Sequence, residues 1–496
     1  MTLVTDRGAP SATDARPAVR SPERTHDKPP DLAFALFVGT ACFFLLGMQQ
    51  TFTVPGTFGL SVAQTMFAGA GITWVCLNIT GFSGPIRERI TLIGVLLYVT
   101  TSFLSFGASM MRGVPHVAQI ALDRYILGDL YLLGTVLFLL TVLRSVGGLR
   151  IVLGALVLGA TLSAWFGLVK VGTGVDLAAY FTLPGLNFRD YQIVTNLMRE
   201  GVARPQGSAG HPLELSAVLT VMTPLALALA LDARARRTAT SWLWIGCAAI
   251  LVGGALVTLS RSAVVGSVAA LVVMCWRWPI TRVAAGLVAG GAAIGLGLLF
   301  QLKFVSSMFT VFAGALGDDS IHSRQRGIEY AQEHFWEHPW FGQGVGAYPA
   351  LKQPVLDNQY ISRLMEAGVV GFATFVAALT IALVLAFRAS ASKDRSIAEL
   401  GGGIAGSIAA VLVISLILDT AGFIQIWYLT WLFVAFAGVV YSLHRDSVGA
   451  TFDAATEPVD DAPTPETTSR SQPSTRTRRG MRTRRMATKT QGTTAT

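Results

Sequence analysis

Apolar positions along this chain come in blocks of about 18 to 22 residues, separated by short polar or Pro/Gly-rich connections. As a helix, each block is long enough to cross a hydrocarbon core of about 30 Å. Twelve such segments are expected, near 32–50, 58–79, 90–108, 125–143, 151–169, 213–231, 242–259, 262–276, 283–301, 361–387, 400–418 and 423–442. Strand-period alternation is absent, which argues against a β-barrel. The expected fold class is all-α, a polytopic membrane protein. Residues 1–31 read as a disordered cytosolic extension, 32–443 as the transmembrane domain, and 444–496 as a disordered basic tail.

Composition agrees with this reading. Hydrophobic residues make up 52% and charged residues 14%, against about a quarter charged in a soluble protein. Mean hydropathy is +0.54. Charge then orients the chain. Arg87 and Arg89, Arg144 and Arg150, Arg234, Arg236 and Arg237, Arg277 and Arg282, and Arg388, Lys393 and Arg395 occupy alternate connections. Those connections are expected inside, giving an N-in, C-in chain. Two long loops, about 170–212 and 302–360, then face outward, so the active side is expected to be extracytoplasmic in the cell membrane. The net charge of +9 owes much to eight Lys/Arg between Arg470 and Lys489. A basic tail after the last span reads as a retention and anionic-lipid patch rather than a nucleic-acid site. Cys42, Cys76, Cys247 and Cys275 fall inside apolar blocks without metal-ligand spacing. The N-terminus has no signal-peptide pattern.

Candidate chemistry gathers on the outward side, where Arg189, Arg199, Arg204, Arg261, Arg324, Arg326 and Arg363 are expected. Arg261 sits in TLSRSAVVG, a tight turn between two spans. Its guanidinium either snorkels to lipid phosphate or forms a bidentate fork on a substrate phosphate. ARPQGSAGHPLELS places Arg204 and His211 in a turn entering a helix at Pro212. In SRQRGIEYAQEHFWEHPWFGQGVGAY, Arg326, Tyr330, Ala331 and Phe335 follow helical spacing, which suggests an amphipathic outward helix. His334 and His338 are four residues apart, but no third ligand is evident, so no metal is expected. Gly342, Gly344 and Gly346 follow a helix rather than a strand. They therefore read as a place where backbone approaches backbone or substrate. In LDNQYISRLMEAGVVGF, Asp357 and Asn358 either cap a helix, or Asp357 is a general base. Glu366 needs a partner at membrane depth, and Arg363 is the nearest candidate. Further candidate pyrophosphate or glycan contacts are His211, Arg324, Tyr330, His338, Gly342, Gly344, Asn358, Tyr360 and Glu366.

The runs TLSRSAVVGSVAALVV, GIEYAQEHFWEHPWFGQGVGAY and DNQYISRLMEAGVVG, in that order, resemble the O-antigen ligase/polymerase superfamily over about residues 200–440. The resemblance implies an inverting membrane glycosyltransferase that uses neither metal, cofactor nor nucleotide sugar. Its donor would be a glycan on undecaprenyl pyrophosphate, its acceptor a glycan or lipid hydroxyl. Arg204, Arg261 and Arg326 would hold the pyrophosphate and Asp357 would take the acceptor's proton. In characterised ligases a histidine stands where this chain has Asp357, which favours a polymerase or an exopolysaccharide-assembling member. A chain-length regulator or a flippase is a candidate partner, alongside membrane lipids. The main alternative is a transporter or flippase of a lipid-linked or anionic substrate. Transport sites lie near the midplane, whereas the middles of these spans are nearly free of ionisable groups, Asp129 being the nearest exception.

Overall fold

A computed structural model describes residues 32–188, 198–199, 202–300 and 319–456. The N-terminal extension, Arg189, residues 302–318 and the basic tail beyond 456 lie outside the described residues, as does the side chain of Arg199. By internal contacts the chain divides into Met1–Ala450 and Thr451–Thr496. The account below concerns the first unit.

All twelve expected segments are helical: α1 Leu32–Gly47, α2 Val62–Ile79, α3 Arg89–Arg112, α4 His116–Val142, α5 Val146–Thr173, α6 Pro212–Ala235, α7 Thr240–Val257, α8 Arg261–Cys275 and α9 Ile280–Leu299, then α11 Gln359–Ala389, α12 Arg395–Ile414 and α13 Ile424–Thr456. The expected outward helix is α10, Asp319–His334. Among the described residues, ten helices are long and apolar enough to cross a membrane; α1 and α8 are shorter apolar helices. Strand is confined to two-residue pairs, Phe52–Thr53 with Asn187–Phe188 and Met198–Arg199 with Val202–Ala203.

Local sequence sets several of these boundaries. Ser61 and Gln64 form a reciprocal capping box at α2. Ser145 caps α5, which ends on left-handed Gly174. Pro212 occupies the first turn of α6, where its missing N–H costs nothing. Helix α4 begins at His116, well before the expected 125, and its 27 residues reach about 40 Å. That exceeds a hydrocarbon core of about 30 Å, so exposed Asp123 and Arg124 have room outside it. The last helix likewise runs past the expected 442 to Thr456.

Alternate connections share an end of the bundle. At one end, here the basic end, arginines pair with carboxylates on other helices. Arg150 grips fully buried Asp232 through two nitrogens at 2.7 and 3.1 Å. Arg282 meets Glu399 at 3.0 Å, and Arg87 pairs with Asp446. Breaking a buried pair strands a charge at a cost of about 3–5 kcal/mol. Arg150 and Arg282 therefore fasten the helices through buried carboxylates. The opposite end, the loop end, carries the turns after α3, α5, α7 and α12 and the 319–358 segment.

The expected single span 361–387 is two helices that meet at Gly368, whose φ of 67° and ψ of −169° are not helical. The first limb carries Arg363 and Glu366. It folds back so that Tyr360 packs on Phe372 and Phe375 of the second limb. Such a break leaves the carbonyls of one limb and the N–H groups of the next without partners. The ribbon Pro339–Gly344 supplies them. The N–H groups of Gln343 and Gly344 donate to the Met365 and Glu366 carbonyls at 2.9 and 3.0 Å. Those of Val369 and Val370 donate to the Pro339 and Trp340 carbonyls at 2.8 and 3.4 Å. Backbone meets backbone here. A Cβ on Gly342 would strike the Glu366 carbonyl, and one on Gly368 the Trp340 carbonyl. Arg112 and Ser105 of α3 fix the ribbon and the break by donating to the Gly342 and Glu366 carbonyls at 2.7 and 2.8 Å.

Gly342→Ala is expected to cost about 3 kcal/mol or more, because it adds a Cβ at positive φ against backbone. Gly107→Ala, which faces open space, should be near neutral. Thermal unfolding of both variants in detergent checks the contrast.

Candidate functional site

The C-terminal end of α12 is where the candidate residues converge. The turn that follows it, Ser415 to Ile417, presents three carbonyls that donors from the start of α11 and from α10 cap in series. The Gln359 N–H donates to the Ser415 carbonyl at 2.9 Å. Asn358 Nδ2 donates to Leu416 at 3.1 Å, and Arg324 Nη2 reaches the Ile417 carbonyl at 3.4 Å. Asn358 also caps α11, its Oδ1 accepting from the Tyr360 and Ile361 N–H groups. The capping role therefore falls to Asn358. Asp357 takes a left-handed φ of 39° and faces Arg324 at 3.7 Å, with both side chains about one-third exposed. Tyr360 donates its hydroxyl to the Leu412 carbonyl at 2.7 Å, a contact within the scaffold.

Two further turns border the same helix end. Helix α8 packs on α12 at Gly266, where a Cβ would meet Ile414. Arg261, the first residue of α8, lies between Ser260 and Ser262, whose buried hydroxyls pair at 2.7 Å. Arg204 Nε donates to the Thr258 carbonyl at 2.9 Å, so two arginines far apart in sequence share one turn. The Arg204 turn is held in place by Glu214, whose carboxylate accepts from the Gly210 and Gln425 N–H groups at 2.9 and 2.8 Å. His211 caps α6 through Nδ1, and its ring lies 5.8 Å from Phe423, just beyond the turn after α12. Burial, with the Arg204 charge second, pushes the His211 imidazole down to about 4. It is therefore neutral at neutral pH.

Other candidates lie apart from this cluster. Arg326 is exposed on α10, and among the described residues no contact ties it to the Arg204–Arg261 turn. Tyr330 stacks on His334 at 4.0 Å, and His334 Nδ1 meets the Tyr330 carbonyl at 3.0 Å. Helix α10 ends at His334 and a 3-10 turn follows, so the two histidines do not keep the helical register their spacing suggests. His338 lines a small pit with Tyr330, His334, Gln343 and Gln353. Burial, then Arg112, lowers its proton affinity, and Glu337 opposes the shift. Among the described residues no group of three or more His, Cys, Asp or Glu is placed to hold a metal. Gly342 and Gly344 take positive φ and belong to the ribbon.

Arg363 was expected to face outward and pair with Glu366, but it is fully buried and no ion pair joins the two. Its guanidinium donates to the Tyr125 hydroxyl and lies 5.2–5.9 Å from the ring centres of Tyr98, Tyr125, Phe375 and Trp427. Each such contact contributes about 0.5–2 kcal/mol. Asp129 is buried too, with the Tyr98 hydroxyl 3.4 Å away. Asp419 lies in the turn after α12, and burial raises its carboxyl above the ordinary range against the pull of Arg363. Glu366 faces the backbone N–H groups of Gly346 and Tyr348. Sequence reading missed Tyr98 and Tyr125, because nothing in their local patterns signals a shared cage, and Arg112, whose bond to the Gly342 carbonyl joins distant segments.

Residues 246–376 match the family model described as O-antigen ligase. The matched stretch contains α8, α10, the ribbon and the Gly368 break. The match supports the O-antigen ligase/polymerase superfamily. It also supports an O-antigen ligase/polymerase type of function, which implies lipid-linked glycan substrates and a multi-pass membrane protein. No curated protein matches the chain.

Because the folded state holds His211 near 4 while the unfolded value is 6.5, the unfolded chain binds more protons between those values. Its contribution to stability is complete above about pH 6.5 and falls as pH drops toward 4. His211→Asn keeps a capping side chain and should flatten that part of the curve. Thermal unfolding across pH 4–7 checks it.

Proposed function

We propose that the chain is an extracytoplasmic glycosyltransferase that polymerises or ligates oligosaccharide carried on undecaprenyl pyrophosphate, in assembly of a cell-surface polysaccharide. The observation that best supports this reading is the Arg204 bond to the Thr258 carbonyl, which brings Arg204 to the turn that carries Arg261. A lipid-linked pyrophosphate needs paired, planar cations near the membrane surface, and guanidinium offers the matching fork.

In the proposed step an acceptor hydroxyl attacks the anomeric carbon of the donor's reducing-end sugar. The new C–O bond forms as the bond to the pyrophosphate oxygen breaks, with inversion at that carbon. The hydroxyl proton passes to the Asp357 carboxylate, and undecaprenyl pyrophosphate leaves as an anion. Arg204 and Arg261 stabilise that developing charge. Arg326, exposed on α10, closes on the donor from the solvent side. Arg324 holds Asp357 in place through the 3.7 Å pair. Carboxylate and guanidinium supply all the proton and charge handling, so the step as proposed uses no metal. His211, neutral at neutral pH, contributes hydrogen bonding to the sugar rather than charge.

Arg261→Ala and Arg326→Ala are each expected to lower transfer by about a hundredfold or more, the scale for losing one charge-stabilising donor. Membrane insertion should be unaffected, and lysine at either position should restore little. The measurement is reconstitution of the purified protein with undecaprenyl-pyrophosphate-linked oligosaccharide, read on a gel with released lipid pyrophosphate. A product ladder marks polymerisation, and wild-type output from both alanine variants removes these residues from the mechanism. Asp357→Asn should abolish turnover. An unchanged pH–rate profile in that variant would leave Asp357 only a structural part.

A further inference from the structure

A groove at the basic end is unrelated to the site described above. Helix α2 packs on α1 and α4, while α3 packs on α4 and α11. The two helices therefore leave a gap between them, floored by the turn Ser83–Ile86. This open groove measures about 470 Å³ and is lined by Asn78, Ser83, Gly84, Arg89, Leu92 and Ile93, among others. Its apolar wall continues along α3 as an exposed stripe, with Ile93 55% and Leu97 52% accessible.

The charge around this groove is unbalanced. Among the described residues four guanidiniums gather here, on Arg87, Arg89, Arg144 and Arg445, but only two carboxylates, Glu88 and Asp446. Arg87 pairs with Asp446, and Arg445 with Glu88 at 3.6 Å. Among the described residues Arg89 and Arg144 have no carboxylate partner. Arg144 is pinned across the turn. Its Nε donates to the Thr141 carbonyl at 2.7 Å and its Nη2 reaches the Pro85 carbonyl at 3.4 Å. Its guanidinium lies where a Cβ of Gly84 would stand. Burial first and the Arg87 charge second lower its proton affinity.

We propose that this groove binds one phospholipid with an anionic headgroup, the phosphate between Arg89 and Arg144 and an acyl chain along Ile93 and Leu97. Basic pockets between membrane helices suit such headgroups. The apolar stripe favours a lipid over a free anion.

The test is native mass spectrometry of the full-length, delipidated protein titrated with dioctanoyl-phosphatidylglycerol and, separately, dioctanoyl-phosphatidylcholine. One phosphatidylglycerol should bind in preference to the choline lipid. Arg89→Ala/Arg144→Ala should weaken it on the order of tenfold, since each nearby cation contributes appreciably to lipid affinity. Arg234→Ala/Arg237→Ala removes the same charge from another connection at the same end and should leave binding unchanged. Equal binding of the two lipids overturns the proposal, and so does equal weakening by both double variants. Inorganic phosphate bound at the two arginines without need of the acyl chain would make this a free-anion site, which also overturns it. If the double variant does not fold, Gly84→Ala serves instead. It keeps every charge but displaces the Arg144 guanidinium. Weakened binding there supports the site, and unchanged binding overturns it.

Discussion

A helix that breaks within a membrane domain must find new partners for its exposed backbone groups, because lipid supplies none. At Gly368 the ribbon Pro339–Gly344 meets that demand from both sides. Its N–H groups take the carbonyls of the first limb and its carbonyls take the N–H groups of the second. Much else depends on this exchange. It folds the first limb back, sets Asn358 at the end of α12, and holds Asp357 beside Arg324. It also makes the glycines of the two motifs interdependent. Gly342 clears the Glu366 carbonyl and Gly368 clears that of Trp340, so neither motif serves its purpose without the other.

Charge is divided between the two ends of the bundle on different terms. At the basic end, Arg150, Arg282, Arg87 and Arg445 meet carboxylates on neighbouring helices and tie the bundle together. At the loop end, Arg204 spends one nitrogen on the Thr258 carbonyl, and Arg324 bridges Asp357 and the end of α12. Backbone carbonyls and one partly exposed carboxylate are among the groups that orient these side chains. Between the ends, Arg363 is held by aromatic faces and a tyrosine hydroxyl. It fixes the first limb of α11 from within and takes no part in the proposed surface chemistry.

The membrane class, the helical segments and the helix Asp319–His334 were all legible in sequence, because apolar block length and helical spacing are local properties. Helix ends were less so. Helix α4 gains two early turns because the ribbon docks on them, with a Cβ at Gly344 meeting Leu122 and Ser109. The candidate residues were legible as a set of types and a motif order but not as an arrangement. Asp357 and Asn358 looked equally able to cap a helix. The choice came from the left-handed backbone at Asp357 and the reach of Asn358 to Leu416. Arg363 carried no signal of burial, since its cage is drawn from Tyr98, Tyr125, Phe375 and Trp427 on separate elements.

By itself, then, the sequence determined the solvent this chain folds in, the helical character of its apolar segments and the residue types gathered at its loop end. Each follows from the composition and period of contiguous residues. Tertiary structure alone decided that span 361–387 breaks at Gly368, that Arg204 and Arg261 share a turn, that Arg363 is buried, and that among the described residues Arg89 and Arg144 lack acidic partners. Each of these depends on which backbone groups and charges meet across distant segments, and that is fixed only when the helices pack.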